Sequence, residues 1–211
     1  MKQIDALKKA SVLTEALPYI KKFSGETFVV KFGGSSMGNK KAMEIFASNV
    51  VLLKSCGINI VVVHGGGPQI SQMLERLGIK SEFVNGVRVT TKDMIDIVEM
   101  VLCGSINKEI VSIINASGGV ALGLSGKDAN LIKAKKMRKT HKETDSNIER
   151  ILDLGWVGMP DVITEIFLMH LKARLLFLLL HQLVLMMMEI LTTLMRIMLQ
   201  GQLLLNLKLQ S

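Results

Sequence analysis

The chain has 211 residues, 49% of them hydrophobic, with 26 Lys and Arg against 18 Asp and Glu and a formal net charge of +8. A chain of this length can bury the core of one domain. The positive charge is concentrated, since six Lys or Arg lie in residues 133–142, and one Trp and one Tyr are too few to form a stacking surface for bases. The composition therefore argues against a nucleic-acid-binding protein.

Residues 1–24 form the first predicted unit. The segment contains an amphipathic helix over residues 3–22, which could serve as an oligomerisation arm, and it has no continuous apolar run of the length of a signal peptide. Further along, Cys56 and Cys103 lie in apolar periodic segments and are predicted to be buried, reduced thiols. These features predict a cytoplasmic protein.

Two strand–glycine–helix units follow. "TFVVKF" is a β-branched and aromatic run that ends at Gly33 and Gly34, and a helical pattern comes next. "INIVVVH" is a continuous apolar run, typical of a parallel strand buried on both faces. Three glycines follow it, and then a helix with Pro68 in its first turn and Gly78 at its end.

The next segment predicts a hairpin, a long helix and a third strand. Asn85-Gly86 between alternating apolar residues is a hairpin signal, and Thr90 or Thr91 can cap the helix that follows. The predicted inner face of that helix comprises Ile97, Val98, Val101, Leu102, Ile106 and Ile110. "VALGL" is a strand that runs into a third glycine turn. This alternation predicts an α/β fold with a mostly parallel open sheet and helices on both faces.

Each of the three predicted strands ends in a glycine turn: Gly33-Gly34-Ser35, Gly65-Gly66-Gly67 and Ser125-Gly126-Lys127. Such turns line the ligand site at the carboxyl edge of an open parallel sheet. Glycine allows backbone N–H groups to converge on an anion, and a helix N-terminus adds positive potential. Phosphoryl transfer needs this arrangement around a spreading negative charge. The chain contains neither GxxxxGK[ST] nor GxGxxG, so the predicted phosphate site is neither a P-loop nor a Rossmann site.

Three side chains near these turns have alternative interpretations. Lys31, expected at the end of a buried strand, needs an anionic partner, which is either a phosphate or a structural carboxylate. Arg88 is predicted on the strand face opposite Val87 and Val89, where it either forms a bidentate contact with a carboxylate or lies on the surface. His64 is either an acid–base group or, as we favour, a structural hydrogen-bonding residue that holds the loop.

The motifs "VVKFGG", "VVVHGGGPQI", "NGVRVT", "GLSGKD" and "DLGWVGMP", in this order, resemble those of the N-acetylglutamate kinases of the amino-acid kinase family over residues 27–160. "KFGGSS" alone also resembles the aspartokinases, whereas "HGGGPQI" followed by "NGVRVT" favours the N-acetylglutamate enzymes. The resemblance implies ATP-dependent phosphorylation of the γ-carboxylate of N-acetyl-L-glutamate, a step of arginine biosynthesis. It also implies Mg²⁺ accompanying ATP, no tightly bound cofactor and no metal site of the protein's own.

The resemblance assigns roles to single residues. It implies that Lys31 is catalytic and stabilises the transferring phosphoryl group, that Gly66 and Gly67 bind the acylated amino acid, and that Arg88 binds its α-carboxylate. The predicted phosphate-binding residues lie in the first and third glycine turns: Gly33, Gly34, Gly126 and Lys127. The N-terminal helix resembles the arm of arginine-regulated, ring-forming members. The expected partners are therefore N-acetyl-L-glutamate, arginine as a feedback inhibitor and further copies of the chain, and neither nucleic acid nor a membrane.

Residues 166–211 depart from this pattern. They contain 17 Leu and 6 Met, and they lack the family segments that resemble "IPVIAPIG" and "YNINAD". If one nucleotide was lost near codons 163–168, Leu175 onward can be read as "IIPVIAPIGVDDDGDTYNINAD". A membrane helix is disfavoured because polar residues interrupt the apolar run, and a partner helix because leucine occurs on all sides.

We therefore predict a kinase lobe over residues 25–165 followed by a frameshifted tail, and an inactive chain. Two alternatives remain open at this point. One is a non-catalytic module that binds N-acetylglutamate or arginine. The other is a different amino-acid kinase, such as an aspartokinase.

Overall fold

A computed structural model describes residues 2–33, 37–84, 86–136, 139–142, 149–163 and 176–180. Its helices are α1 (Lys2–Phe23), α2 (Lys40–Ser55), α3 (Gly67–Arg76), α4 (Lys92–Glu99) and α5 (Asn107–Ala116), with a π-helix over Met100–Ile106 and a 3-10 turn over Asp128–Asn130. The strands are β1 (Thr27–Phe32), β2 (Asn59–His64), β3 (Phe83–Val84), β4 (Val87–Arg88), β5 (Ala121–Leu124), β6 (Ile132–Lys136), β7 (Lys139–Lys142), β8 (Glu149–Leu152), β9 (Gly158–Ile163) and β10 (Leu176–Leu180).

The main sheet of the described residues has four parallel strands in the order β1-β2-β10-β5. Strand β2 has a partner on each side, and its four apolar residues, Ile60 to Val63, are at most 2% exposed. The prediction of a parallel α/β sheet, with "INIVVVH" as a strand buried on both faces, is therefore confirmed. Since Phe32 and Leu180 both pair with His64, the carboxyl ends of three neighbouring strands lie level.

The core lies between this sheet and the helices. Ile60 and Val62 project from one face of β2 into a cluster to which α2, α3, α4, the π-helix and α5 all contribute buried residues. Burying the apolar faces of these helices supplies the main favourable term in folding, about 25 cal/mol per Å² of apolar surface removed from water. The core thereby fixes the helices on this face of the sheet, and the helices that follow the glycine turns are held with it.

The predicted long helix is present, but it is not a uniform α-helix. Its predicted inner-face residues are all buried, at 2–8% exposure. Between α4 and α5, however, the backbone takes the wider π-helical form over Met100–Ile106. A π segment is rare and often lies at a functional site. Here it lies against one of the glycine turns, as described below.

The antiparallel elements lie outside the main sheet. The predicted hairpin is confirmed: β3 pairs with β4, and Gly86 in its turn has φ +77°, whereas Asn85 lies outside the described residues. The described residues of the basic segment 133–142 lie in β6 and β7. Strand β6 pairs with β9, and β7 pairs with β8.

Helix α1 confirms the predicted N-terminal helix and packs few of its apolar residues. Leu7, Val12, Leu13 and Tyr19 are each more than 60% exposed in the described chain. Its use as an oligomerisation arm remains a prediction. None of the helices in the described ranges is long and apolar enough to cross a membrane.

The leucine-rich tail is described only over Leu176–Leu180. These five residues form β10, which lies between β2 and β5. The shifted-frame prediction otherwise falls on residues outside the described part of the chain. An apolar strand at this position agrees with the sequence as written and also with the shifted reading, which is apolar there.

Candidate ligand site at the carboxyl edge of the sheet

The first two glycine turns lie side by side. Gly65 N–H donates to the Phe32 carbonyl at 3.2 Å, and a Cβ placed on Gly33 would lie 3.9 Å from Gly65 N. The structure thus brings Gly33 next to the turn that contains Gly66 and Gly67, as the sequence predicts. Gly34 lies outside the described residues.

Gly66 marks the point where the second turn meets the π-helix. Its φ of 175° is an extended conformation that any residue adopts. A Cβ at this position would lie 2.5 Å from Ile106 Cδ1 and 2.7 Å from Leu102 Cδ2. Glycine is needed here for the close packing of turn against helix. This reason for Gly66 was not visible in the sequence, because it depends on a contact with residues about forty positions away.

We expect Gly66→Ala to lower the free energy of unfolding by about 1–3 kcal/mol, because the methyl group overpacks against Leu102 and Ile106. Both contacting atoms are the ends of flexible side chains, so the protein should still fold. Gly65→Ala is the matched control, since a Cβ at Gly65 meets nothing within 4 Å. Urea unfolding of both variants measures the difference, and equal losses would show that packing at Gly66 does not require glycine.

Arg88 reaches the second glycine turn from the hairpin. It is 8% exposed, and its Nη2 donates to Ser71 Oγ at 2.7 Å and to the Gly67 carbonyl at 3.3 Å. Its Nη1 donates to Ser81 Oγ. The Phe83 ring lies 4.5 Å from the guanidinium carbon and covers one face of the group. The alternative of a surface arginine is therefore wrong, because the guanidinium is buried against residues of α3.

The Arg88 charge has only neutral partners. Within the part of the chain that the structure describes, no carboxylate pairs with it, and its hydrogen-bond acceptors are two hydroxyls and one carbonyl. Burial lowers the pKa of the guanidinium from its ordinary value. A desolvated cation without a counter-ion is unfavourable unless a ligand supplies one. The site therefore has the properties of a carboxylate-binding site.

A second loop supports the Arg88 hairpin. Thr90 Oγ1 donates to the Arg88 carbonyl at 3.2 Å. Thr90 N–H in turn donates to the Leu154 carbonyl at 3.1 Å, and Trp156 N–H donates to the Thr90 carbonyl at 2.7 Å. Gly155 lies between these two bonds with φ +74°, and a Cβ there would lie 2.1 Å from the Thr90 carbonyl oxygen. This role of Gly155 was not predicted, because its only signal in the sequence was its place in "DLGWVGMP".

The prediction that Lys31 is buried is wrong. Strand β1 is the outermost strand of the described sheet, and the alternation along it directs Phe32 into the core and Lys31 away from it. Lys31 is exposed, and no described carboxylate pairs with it. Burial therefore gives no reason for an anionic partner. Its position one residue before Phe32 still places it beside the first glycine turn.

The third glycine turn lies at the same edge of the sheet, at the end of β5. Within it, Ser125 N–H donates to the Asp128 carboxylate at 2.5 Å. Lys127 is largely exposed, and its ammonium group pairs with Glu99. That hydrogen bond raises the pKa of Lys127. In the described structure Gly126 and Lys127 thus belong to a turn whose charged group already has a partner.

His64 forms the structural contact that the sequence analysis favoured. The ring is fully buried, and its Nδ1 lies 2.9 Å from the Gly65 carbonyl, so it holds the start of the glycine turn. Its Nε2 is buried without a hydrogen-bond partner among the described residues. Burial lowers the pKa of the imidazole, although the Gly65 contact opposes this shift.

The lowered pKa of His64 predicts a loss of stability in acid. The unfolded chain binds the imidazole proton more readily than the folded chain, so this contribution is complete above about pH 6.5 and is lost as the pH falls below it. We expect a slope of at most about 1.4 kcal/mol per pH unit from this group. Urea unfolding between pH 5 and pH 7.5 measures it, with His64→Gln as the non-titrating control. Parallel pH profiles for the two proteins would contradict the assignment.

Other groups carry less chemistry. Both Cys56 and Cys103 are free thiols, as predicted, but they are only partly buried. Burial and the nearby Glu99 carboxylate raise the pKa of the Cys103 thiol. In the described ranges, no group of three or more His, Cys, Asp or Glu side chains could hold a metal ion.

The profile of the amino acid kinase family matches residues 26–168. Acetylglutamate kinases of Rhizorhabdus wittichii and Rhodospirillum centenum are each 58% identical over 154 residues, which is 73% of this chain and 51% and 50% of theirs. The chain thus spans about half the length of the curated relatives it matches.

A solved structure gives the same fold. N-acetylglutamate synthase from Neisseria gonorrhoeae, complexed with coenzyme A and N-acetyl-glutamate, superposes with a TM-score of 0.63 at 19% identity, covering 81% of this chain and 37% of that one. This likeness shows the fold alone. The profile match extends from β1 past β9 and so includes the glycine turns and Arg88. The chain belongs to the amino acid kinase family.

Proposed function

We propose that this chain carries the N-acetyl-L-glutamate-binding half of an acetylglutamate kinase. The observation that carries the proposal is Arg88, a buried guanidinium with only neutral described partners that lies against Gly67 of the second glycine turn. The two relatives that are 58% identical bear the name acetylglutamate kinase, which supports this substrate over aspartate.

In this proposal, Arg88 binds the α-carboxylate of the substrate. A planar guanidinium can bind both oxygens of a carboxylate, and this fixes the orientation of the ligand. Backbone N–H groups of Gly66 and Gly67, at the start of α3, contribute positive potential at the same place. The γ-carboxylate then extends towards the first glycine turn, which the Gly65–Phe32 hydrogen bond holds beside the second.

The reaction proposed for the whole enzyme is phosphoryl transfer. A γ-carboxylate oxygen attacks the γ-phosphorus of ATP, the bond from phosphorus to the ADP oxygen breaks, and the products are an acyl phosphate and ADP. Mg²⁺ enters with ATP as part of the substrate. Lys31, exposed beside the first turn, is proposed to stabilise the transferring group, and Gly33, Gly34, Gly126 and Lys127 to surround the phosphates.

For Lys127 this role requires the ammonium group to leave Glu99. An exposed ion pair of this kind contributes little to stability, about 0–1 kcal/mol, so the exchange is energetically accessible. Further parts of the proposal are arginine as an inhibitor, a homo-oligomer that uses α1, and a cytoplasmic location.

Isothermal titration calorimetry of the purified chain tests the substrate. We expect binding of N-acetyl-L-glutamate and much weaker binding of L-glutamate, whose charged amino group replaces the acetamide. L-Aspartate distinguishes the aspartokinase alternative. Preferential binding of L-aspartate, or no binding of any of the three to a folded chain, would overturn the proposal.

A second candidate is a binding module without turnover. The observation that favours it is the match to only about half of each relative, together with a leucine-rich segment after residue 165. Sequencing the coding DNA from codon 150 onward tests the shifted reading. If one inserted or deleted base restores "IPVIAPIG" and "YNINAD", the repaired protein should phosphorylate N-acetyl-L-glutamate where the chain as written does not. If the DNA confirms the written frame and the chain binds without turnover, the binding module is correct.

A further inference from the structure

The surroundings of Arg88 contain two hydroxyl groups with unused protons. Ser71 Oγ and Ser81 Oγ both accept hydrogen bonds from the guanidinium. A serine hydroxyl that accepts from one group still has its own O–H to donate. Within the described part of the chain, neither hydroxyl donates to a protein acceptor. Both serines are half-buried, Ser71 on the first turns of α3 and Ser81 just before β3.

The two serines also differ from the usual partners of a buried arginine. A carboxylate at either position would neutralise the guanidinium within the protein. Serine holds the group in place through a neutral oxygen and leaves its charge uncompensated. Phe83 covers one face of the guanidinium. Ser71, Ser81 and the Gly67 carbonyl accept from three of its five N–H groups, which leaves two for an incoming ligand.

We infer that Ser71 and Ser81 are positioning residues that orient Arg88, keep its charge free and donate their own protons to the carboxylate it binds. The ligand class is an amino-acid α-carboxylate, and in this respect the inference rests on the proposed function. It goes further by assigning roles to two more residues. Arg88 supplies the positive charge, and the hydroxyls of Ser71 and Ser81 orient Arg88 and provide two further hydrogen-bond donors.

The test introduces a carboxylate side chain into the protein beside Arg88. Ser71→Asp places a carboxylate on the residue that already lies 2.7 Å from Arg88 Nη2. We expect N-acetyl-L-glutamate to bind roughly 10- to 100-fold more weakly, because its contact with Arg88 is already occupied. Ser71→Asn introduces a side chain of nearly the same size as aspartate but without a charge, so it should weaken binding much less than Ser71→Asp. Ser48→Asp, on the exposed side of α2, adds the same charge away from the site and should leave binding unchanged.

A second measurement does not depend on any ligand. At pH 7, Ser71→Asp should melt at a higher temperature than Ser71→Asn, by about 2–4 °C, because it pairs the buried guanidinium. The difference should disappear in the Arg88→Gln background. It should also decrease as the pH falls from about 4, because the unfolded chain then protonates the new carboxylate more readily than the folded chain, in which Arg88 pairs with it.

The outcomes distinguish a failure of this inference from a failure of the proposed function. If the unchanged chain does not bind N-acetyl-L-glutamate, the proposed function fails, while the melting difference still decides whether Ser71 faces an unpaired guanidinium. If the unchanged chain binds and Ser71→Asp binds equally well, the inference is overturned and the proposed function stands. Equal melting temperatures of Ser71→Asp and Ser71→Asn would also overturn it.

Discussion

Arg88→Lys is expected to weaken N-acetyl-L-glutamate binding by roughly 10- to 100-fold while the chain stays folded. A lysine ammonium keeps the positive charge, but it is a point charge and cannot offer two parallel N–H groups to one carboxylate. It also cannot contact Ser71, Ser81 and the Gly67 carbonyl at once in the geometry that Arg88 has. The loss therefore measures the value of the planar guanidinium rather than of the charge.

The measurement is calorimetric titration, accompanied by thermal unfolding to establish that the variant is folded. Arg76→Lys is the matched control, because Arg76 lies in the last turn of α3 and is exposed. Arg88→Ala should reduce binding further, since it removes the charge as well. A variant Arg88→Lys that binds as tightly as the unchanged chain would exclude a two-point carboxylate contact and place the ligand elsewhere.

Gly155→Ala is expected to give the largest loss of stability, about 2–5 kcal/mol. A non-glycine residue in the left-handed region costs about 1–2 kcal/mol, and overpacking adds a further 1–3 kcal/mol or so. The overlap cannot be relieved by a side-chain rotation, because the atom in the way is the Thr90 backbone oxygen, 2.1 Å from the new Cβ. Since folded domains are stable by only about 5–15 kcal/mol in total, this change could unfold a large part of the population.

Gly78→Ala separates the two causes. Gly78 has φ +70°, close to the +74° of Gly155, but a Cβ at Gly78 meets nothing within 4 Å. It should therefore show the backbone cost alone, about 1–2 kcal/mol. Urea unfolding gives both values. If the two variants lose the same stability, the loop that carries Gly155 does not pack on Thr90 in solution, and its support of the Arg88 hairpin would have to be abandoned.

The elements predicted best from sequence are those whose signal is local. The apolar run of β2, the Asn-Gly hairpin and the proline and glycine at the two ends of α3 each depend on a few adjacent residues, and each is confirmed. The π-helix over Met100–Ile106 was not predicted, because its apolar spacing is compatible with an ordinary α-helix. Neither was β10 expected as a strand of this sheet, since a leucine-rich segment carries no strand period.

The parts of the site that depend on a local sequence motif were predicted, whereas the parts that depend on a contact between distant residues were missed. The glycine turns were correctly predicted to lie at one edge, because the carboxyl ends of parallel strands meet there. The place of Arg88 beside the second turn was implied only by the family resemblance, since β4 belongs to a separate hairpin. Lys31 was wrongly predicted to be buried, since the sequence does not show that β1 lies at the border of the described sheet. Lys127 pairs with Glu99, 28 residues earlier, and Gly155 contacts Thr90, so no local pattern reports either contact.

The position of β10 in the chain determines when the main sheet can be completed during synthesis. Strands β2 and β5 flank β10 in the sheet, yet both emerge before it, and about fifty residues separate Leu124 from Leu176. At about 5–20 residues per second, translation takes roughly 3–10 s to supply the missing strand. During that interval two unpaired strand edges are open to association with other chains. The yield of folded protein in a cell therefore depends on how these edges are shielded before Leu180 is made, for example by a chaperone, and not only on the stability of the finished sheet.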